Sequence, residues 1–297
     1  MIKYANIAII ASFFGLWINS YFPNELEIII GFVLILSFGI LHGANDIALI
    51  LNVNSSKKTA NFYKILIYYV FIVLGGALLF TILPWLALTL FIVCSGYHFG
   101  EQQWHLKLNT LSSTPLRSLF QMIYGLLLLF ILFVFHSIEV QKIILAITSI
   151  SIPEQCYLLI LEVLLPSYFL LSLYLYFTYE PFKKVVFTEL FYLILYTVLF
   201  KVSTLIWGFA LYFILWHSIP SMIDQIKFLY GTLSLRHFKA YFKTAFPYWI
   251  TALLGILLLY LIFRNEKIFN ALFFSFLASI TFPHVVVIQR MFGKNKP

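Results

Sequence analysis

Long apolar runs separated by short polar clusters or prolines dominate this chain. Runs such as YGLLLLFILFVF are continuous rather than alternating, which favours helices over the strands of a membrane barrel. Because a transmembrane helix needs roughly 20 apolar residues, the pattern predicts ten spans, at about 4–21, 26–52, 62–82, 84–106, 116–138, 155–178, 184–200, 203–227, 245–263 and 267–290. The seventh is short, and Lys201 separates it from the eighth, so eight or nine spans remain possible.

Composition supports a membrane protein. Of the 297 residues, 62% are hydrophobic and only 10% are charged, against about 25% charged in soluble domains. So few charges exclude a water-soluble enzyme, a disordered chain and a secreted disulfide scaffold. Two cysteines, Cys94 and Cys156, provide neither a disulfide framework nor a cysteine metal motif. We therefore predict an all-α, multi-pass bundle in the cytoplasmic (inner) membrane, with residues 1–297 as a single integral membrane domain.

The distribution of basic residues predicts the orientation. If the N-terminus is cytoplasmic, four of the 19 lysines and arginines fall outside, namely Lys142, Lys201, Arg264 and Lys267. The other basic residues fall inside: Lys3, Lys57, Lys58, Lys64, Lys107, Arg117, Lys183, Lys184, Lys227, Arg236, Lys239, Lys243, Arg290, Lys294 and Lys296. Since cytoplasmic loops carry the excess of positive charge, we predict that both termini are cytoplasmic. The net charge of +8 then reflects topology, and no nucleic-acid partner is expected.

Four of the seven histidines share one predicted depth. His42, His98, His217 and His284 lie on spans that run from outside to inside, each about six to ten residues, or roughly 9–15 Å, before the cytoplasmic end. Polar side chains at membrane depth are costly and usually pair with each other or face a functional cavity. A single membrane histidine more often makes a helix–helix hydrogen bond than binds a metal. Four at one depth favour a metal site.

Acidic residues follow three of these histidines at helical spacing. Asp46 comes four residues after His42, Glu101 three after His98, and Asp224 seven after His217. These spacings place each acid on the face of its own histidine, where a carboxylate can fix the tautomer of a metal-bound imidazole. Imidazole ligands suit iron, copper, zinc or nickel, and the residues alone do not choose among them.

Four short segments together resemble a known family. They are LHGAND at 41–46, SGYHFGEQ at 95–102, LWHSIP at 215–220 and TFPHVVVIQRMF at 281–292. In this order they are similar to the bacterial and archaeal β-carotene 15,15′-dioxygenases, the family of the bacteriorhodopsin-related protein and its homologues. The family pattern reads approximately PHGALD, then HFG followed by an acid, then HS, and finally PH near the C-terminus. The resemblance covers about residues 28 to 292.

The resemblance implies an iron enzyme and assigns residues to it. Members split the central double bond of β-carotene with O2 into two retinals and use non-haem Fe(2+) held by histidines. Carried over by motif, the iron ligands are His42, His98, His217 and His284, with no further catalytic residue, and the supporting acids are Asp46, Glu101 and Asp224. The expected partners are β-carotene, O2, the lipid bilayer and a rhodopsin-type protein that receives retinal.

The chain also departs from the family pattern. Leu41 replaces a proline and Asn45 a leucine, and neither change should destroy a ligand. Some members carry a second histidine four residues after the HS histidine, where this chain has Ser221. The sequence leaves open whether Ser221 or His284 completes the site, with His284 as our candidate.

Two other classes of function remain as alternatives. A proton or metal-ion transporter would also place histidines and carboxylates inside a helical bundle, although we see neither clear inverted repeats nor broken helices near the midplane. A haem or electron-transfer protein would need two axial histidines for each haem.

Overall fold

A computed structural model describes residues 2–53, 62–262 and 266–294 of the chain. The basic residues Lys57, Lys58, Arg264 and Lys296, which we used to predict orientation, lie outside the described residues, as do the side chains of Lys3 and Lys267. Across the described ranges the secondary structure is helical and contains no strand, as the apolar pattern predicts.

The helices follow one another with short connections. The first eight are α1 (Ile2–Asn19), α2 (Asn24–Leu34), α3 (Ile40–Gly43), α4 (Asp46–Val53), α5 (Phe62–Ile82), α6 (Pro84–Trp104), α7 (Thr114–Phe135) and α8 (Ser137–Thr148). The remainder are α9 (Glu154–Thr178), α10 (Glu180–Lys183), α11 (Val186–Val202), α12 (Leu205–Tyr212), α13 (Ile219–Tyr230), α14 (Leu235–Ile262) and α15 (Glu266–Lys294). Two π-helical turns, Ile35–Gly39 and Phe213–Ser218, join α2 to α3 and α12 to α13.

Seven helical segments of the described chain are long and apolar enough to cross a membrane, judged by length and composition. They are Asn24–Val53, Phe62–Ile82, Thr114–Phe135, Glu154–Thr178, Leu205–Tyr230, Leu235–Ile262 and Leu272–Lys294. A helical membrane protein follows from this, whereas the count of ten spans and the cytoplasmic position of the termini stay predictions.

Two helical features differ from the predicted spans. Helix α8 was not predicted, because its twelve residues include Glu139, Gln141 and Lys142 and are too short for a span. Helix α14 begins at Leu235, about ten residues before the predicted ninth span. The basic residues that we placed in a loop, Arg236, Lys239 and Lys243, therefore lie exposed on the first turns of α14, where spacings of three and four put them on one face.

The chain divides into two compact units. The first comprises Met1–Ser37, Gly96–Gln141 and Ile152–Pro220, and the second comprises Phe38–Ser95, Lys142–Ser151 and Ser221–Pro297. His98 and His217 belong to the first unit, and His42 and His284 to the second.

In the first unit, glycines bring two helix backbones together beside His98. A Cβ atom at Gly125 of α7 would lie 1.7 Å from the carbonyl oxygen of Gly96 in α6, and one at Gly100 would lie 1.7 Å from the carbonyl oxygen of Gln121. No side chain fits at these distances, so glycine is required for this approach. The turn of α6 that carries His98, between Gly96 and Gly100, is thereby fixed against α7.

In the second unit, α15 packs against α4 and α5. Gly76 of α5 meets α15, since a Cβ atom there would lie 3.0 Å from the ring of Phe282 and 3.2 Å from Cα of Ser279. A buried apolar cluster joins α4 to the end of α15, and its members are Leu49, Val287, Ile288, Met291 and Phe292. This packing holds the turn of α15 that carries His284 beside α4.

Candidate metal-binding histidines

Two of the four predicted histidines lie within or shortly after a π-helical turn. One π-helical turn, Ile35–Gly39, ends three residues before His42, and the other, Phe213–Ser218, contains His217. Helix α3 then ends at Gly43, and α4 begins at Asp46. Insertions of this kind interrupt the regular hydrogen-bond ladder and occur frequently at functional sites.

In the first unit, His98 and His217 form a buried pair. Their ring centroids lie 4.7 Å apart with an interplanar angle of 80°, and the residues are 2% and 1% exposed. Aromatic rings surround His217: Phe99 lies edge-on at 4.7 Å, and Phe213 stacks at 5.3 Å with an angle of 13°. Both imidazoles are therefore held in a tightly packed apolar environment.

In the second unit, His42 and His284 form a pair with similar geometry. Their ring centroids lie 4.9 Å apart at an interplanar angle of 87°, and the residues are 5% and 4% exposed. Gly43 lies against the ring of His284, because a Cβ atom there would be 3.6 Å from its Nδ1.

Hydrogen bonds assign the tautomers of the second pair. His284 Nδ1 lies 2.8 Å from Asp46 Oδ1, and the Tyr69 hydroxyl donates to Asp46 Oδ2 at 2.8 Å. His42 Nδ1 contacts the carbonyl oxygen of Gly39. In a neutral imidazole, an Nδ1–H directed to an oxygen acceptor leaves the lone pair on Nε2. This is the tautomer in which a carboxylate or carbonyl orients a histidine for metal binding.

The structure places Asp46 differently from our expectation. Its spacing from His42 predicted that it would support His42, but its carboxylate lies against His284. The reason is the interruption between α3 and α4, because a four-residue spacing keeps two side chains on one face only along an unbroken helix. The acid therefore supports the histidine that is distant in sequence.

The backbone at His42 is held by three buried polar residues, none of which we had predicted to belong to the site. Gln225 Nε2 donates to the carbonyl oxygen of His42 at 2.8 Å, and the Tyr241 hydroxyl donates to Gln225 Oε1 at 2.8 Å and to the His42 carbonyl at 3.3 Å. Asn45 Nδ2 donates to the carbonyl oxygen of Tyr241 at 2.9 Å. Gln225 is a polar residue inside an apolar span, which is a sequence signal for such a role.

The remaining predicted residues have separate surroundings. Glu101 is buried and accepts a hydrogen bond from the Tyr97 hydroxyl at 3.2 Å. Asp224 is half-buried in α13 and belongs to the second unit, whereas His217 belongs to the first. Ser221 is buried, and its hydroxyl oxygen accepts a hydrogen bond from Gln225 Nε2 at 3.0 Å.

The histidines that we excluded make other contacts. His136 Nε2 lies 2.8 Å from the carbonyl oxygen of Phe200, a hydrogen bond that joins the residue after α7 to α11. His237 Nδ1 lies 2.7 Å from the carbonyl oxygen of Thr232, and its ring stacks on Tyr230 at 5.4 Å. His105 is half-buried just after the end of α6.

Buried imidazoles, two of which direct Nδ1 to an oxygen atom, are a donor set that fits a transition-metal ion. Together with apolar helices long enough to cross a bilayer, they place the chain in the class of helical membrane proteins with histidines suited to a metal. Comparison with protein families agrees with this class. The family model described as beta-carotene 15,15′-dioxygenase matches residues 33–292. The chain therefore belongs to the β-carotene 15,15′-dioxygenase family, which indicates a carotenoid dioxygenase type of function. No curated protein and no solved structure gives a significant match.

Proposed function

We propose that this protein splits β-carotene at its central double bond with O2 to give two molecules of retinal. Family membership supports the substrate and the type of reaction. The observation that carries the proposal is the buried Asp46–His284 pair, because a carboxylate that orients an imidazole is typical of metal ligation.

The proposed Fe(II) ligands are His42, His98, His217 and His284. Their common predicted depth and the family motifs support this set, and the similar ring geometry within each unit is consistent with it. Position 221, where some members have a histidine, carries a serine that accepts a hydrogen bond from Gln225. We therefore propose His284 as the fourth ligand.

The stoichiometry explains why no general acid is needed. One double bond is broken, and each oxygen atom of O2 forms the new C=O bond of one aldehyde, so no proton or external reductant is consumed. Bound Fe(II) would supply the open-shell chemistry that allows O2 to react with a polyene. Asp46 and Tyr69 would then orient His284 rather than transfer protons, and Phe99 and Phe213 would exclude water from the histidine pair of the first unit.

The membrane context suits this reaction. β-Carotene and retinal both dissolve in lipid, so an enzyme within the inner membrane can take up and release them laterally. We propose that the retinal passes to a rhodopsin-type protein. The interruption between α3 and α4 is the kind of broken helix that transporters use, but family membership favours the dioxygenase. The transporter would become the preferred function if folded, iron-loaded protein consumed no carotenoid.

The test is expression in a bacterium that accumulates β-carotene, followed by analysis of the pigments. We expect loss of yellow colour and formation of two retinals for each β-carotene, with oxygen atoms from labelled O2 in both aldehydes. His136→Ala is the matched positive control, because His136 is buried but bonded to Phe200, and His42→Ala is the inactive control. Longer apocarotenals would contradict central cleavage, and unconsumed β-carotene with folded, iron-loaded protein would contradict the function.

A further inference from the structure

The second unit contains an apolar recess to which the proposed reaction assigns no ligand. It has a volume of about 370 Å³ and is open on one side, which is within the range of small-molecule sites, roughly 300–1,000 Å³. Its walls come from α4, α5 and α15, and its lining includes Ile65, Tyr68, Ile72, Val286 and Arg290. With the exception of Arg290, every lining residue is apolar or aromatic.

The recess is elongated along the helices. It runs from Ile65 to Ile72 on α5 and from Phe282 to Arg290 on α15, which at about 1.5 Å per residue is roughly 10–12 Å. Beyond it, Gly76 faces Phe282 and Ser279. Since later residues of α5 meet earlier residues of α15, the two helices are antiparallel, and Arg290 lies near the start of α5.

Positive charge collects at this end of the recess. Arg290 is exposed, and among the described residues no acidic side chain forms an ion pair with it. Lys294, one turn further along α15, donates from Nζ to the carbonyl oxygen of Asn52 at 2.6 Å. Lys64 lies next to Ile65 in sequence, with Nζ 5.9 Å from the ring centroid of Tyr68. The recess is thus apolar along its length and cationic at one end.

We propose that this recess binds a membrane phospholipid with an anionic headgroup. An acyl chain would occupy the apolar groove, and the phosphate would lie at Arg290, with Lys64 and Lys294 contributing to the positive potential. Basic pockets between transmembrane helices on the cytoplasmic side bind such headgroups, and the Lys/Arg distribution predicts that this end is cytoplasmic. A neutral polyene would gain nothing from the guanidinium group. The recess shares Tyr69 with the support of His284, so the variants that test lipid binding leave Tyr69 unchanged.

Native mass spectrometry of delipidated, full-length protein in neutral detergent tests the proposal. We expect one molecule of palmitoyl-oleoyl phosphatidylglycerol to bind each chain more tightly than phosphatidylcholine with the same acyl chains. Arg290→Gln should weaken phosphatidylglycerol binding by about fivefold. The matched control is Arg236→Gln, which removes the same charge from an exposed position on α14 outside the recess. Equal losses in the two variants would overturn the proposal in favour of general surface attraction.

A second pair of variants tests the apolar part of the recess. Ile72→Trp should fill the groove and reduce phosphatidylglycerol binding, whereas Leu74→Trp should not, because Leu74 is exposed on the same helix but does not line the recess. Size-exclusion profiles check folding. Glycerol phosphate, which has no acyl chains, should fail to compete with phosphatidylglycerol for the recess. Full competition would overturn the proposal. Displacement of the phospholipid by β-carotene would assign the recess to the polyene and would also overturn it.

Discussion

The two units hold histidine pairs of nearly identical geometry, and the contacts described around the two pairs differ in kind. In the first unit, Phe99 and Phe213 pack on His217. In the second, Asp46 and the carbonyl oxygen of Gly39 orient His284 and His42 through hydrogen bonds. Aromatic packing fixes where a ring lies, whereas a hydrogen bond to Nδ1 also decides which nitrogen carries the lone pair. We therefore expect substitutions around the second pair to change metal affinity and those around the first to change stability.

The largest expected effect is loss of the ligands themselves. His98→Ala in the first unit and His284→Ala in the second should each remove all the iron and all activity if the two pairs hold one ion. Iron per chain, measured by elemental analysis of purified protein, checks this expectation. His136→Ala should keep its iron. Retention of half the iron in each variant would instead indicate a separate ion in each unit.

The next effect in size is removal of the carboxylate. Asp46→Asn should weaken Fe(II) binding by about 10–100-fold, as changes of the partners that orient metal ligands typically do. Anaerobic titration, with Co(II) as a spectroscopic probe, measures the affinity. Glu139→Gln removes the same charge at an exposed position on α8 and should have no effect. An unchanged affinity in Asp46→Asn would mean that the pairing with His284 does not serve metal binding.

A smaller effect should follow from loss of the polar support behind His42. Gln225→Met removes the hydrogen bond to the His42 carbonyl and leaves Tyr241 as its side-chain donor. We expect Fe(II) binding to weaken by at most about tenfold and the free energy of unfolding to fall by about 1–3 kcal/mol. Gln289→Met, an exposed change on α15, is the control. A fall in stability without any change in affinity would show that Gln225 supports the fold alone.

The smallest change in affinity is expected in the first unit. Phe99→Leu removes the ring that packs on His217 and should lower stability by about 1–2 kcal/mol, seen as a lower Tm in detergent, with little change in Fe(II) affinity. Phe130→Leu is the control, because it makes the same change at a buried ring that contacts Phe133 instead of His217. If Phe99→Leu weakened Fe(II) binding as strongly as Asp46→Asn, the contrast between the two units would be wrong.

Much of the fold was predictable because it depends on local composition. A continuous apolar run such as residues 116–138 must form a helix in lipid, where every backbone group needs an internal partner, and the structure has α7 at Thr114–Phe135. Helix α8 and the early start of α14 were missed because polar residues hide short or partly exposed helices from a search for long apolar runs.

The candidate site was predictable in part. Depth along the helix selected His42, His98, His217 and His284 from the seven histidines, and all four are buried in the structure. His136 is also buried, however, and its role depends on the carbonyl oxygen of Phe200, which is 64 residues away in sequence. Burial can be estimated from an apolar pattern, but the partner of a buried polar atom cannot.

The sequence by itself determined that this chain is a helical membrane protein, since transfer of apolar segments into lipid is a property of each segment. It also determined which motifs are present, and hence the family. Only the tertiary structure decided which groups meet: the interruption at Ala44 and Asn45 turns Asp46 towards His284 rather than His42. A hydrogen bond joins two atoms at about 3 Å, and that proximity depends on the packing of α4 against α15, which no local pattern specifies.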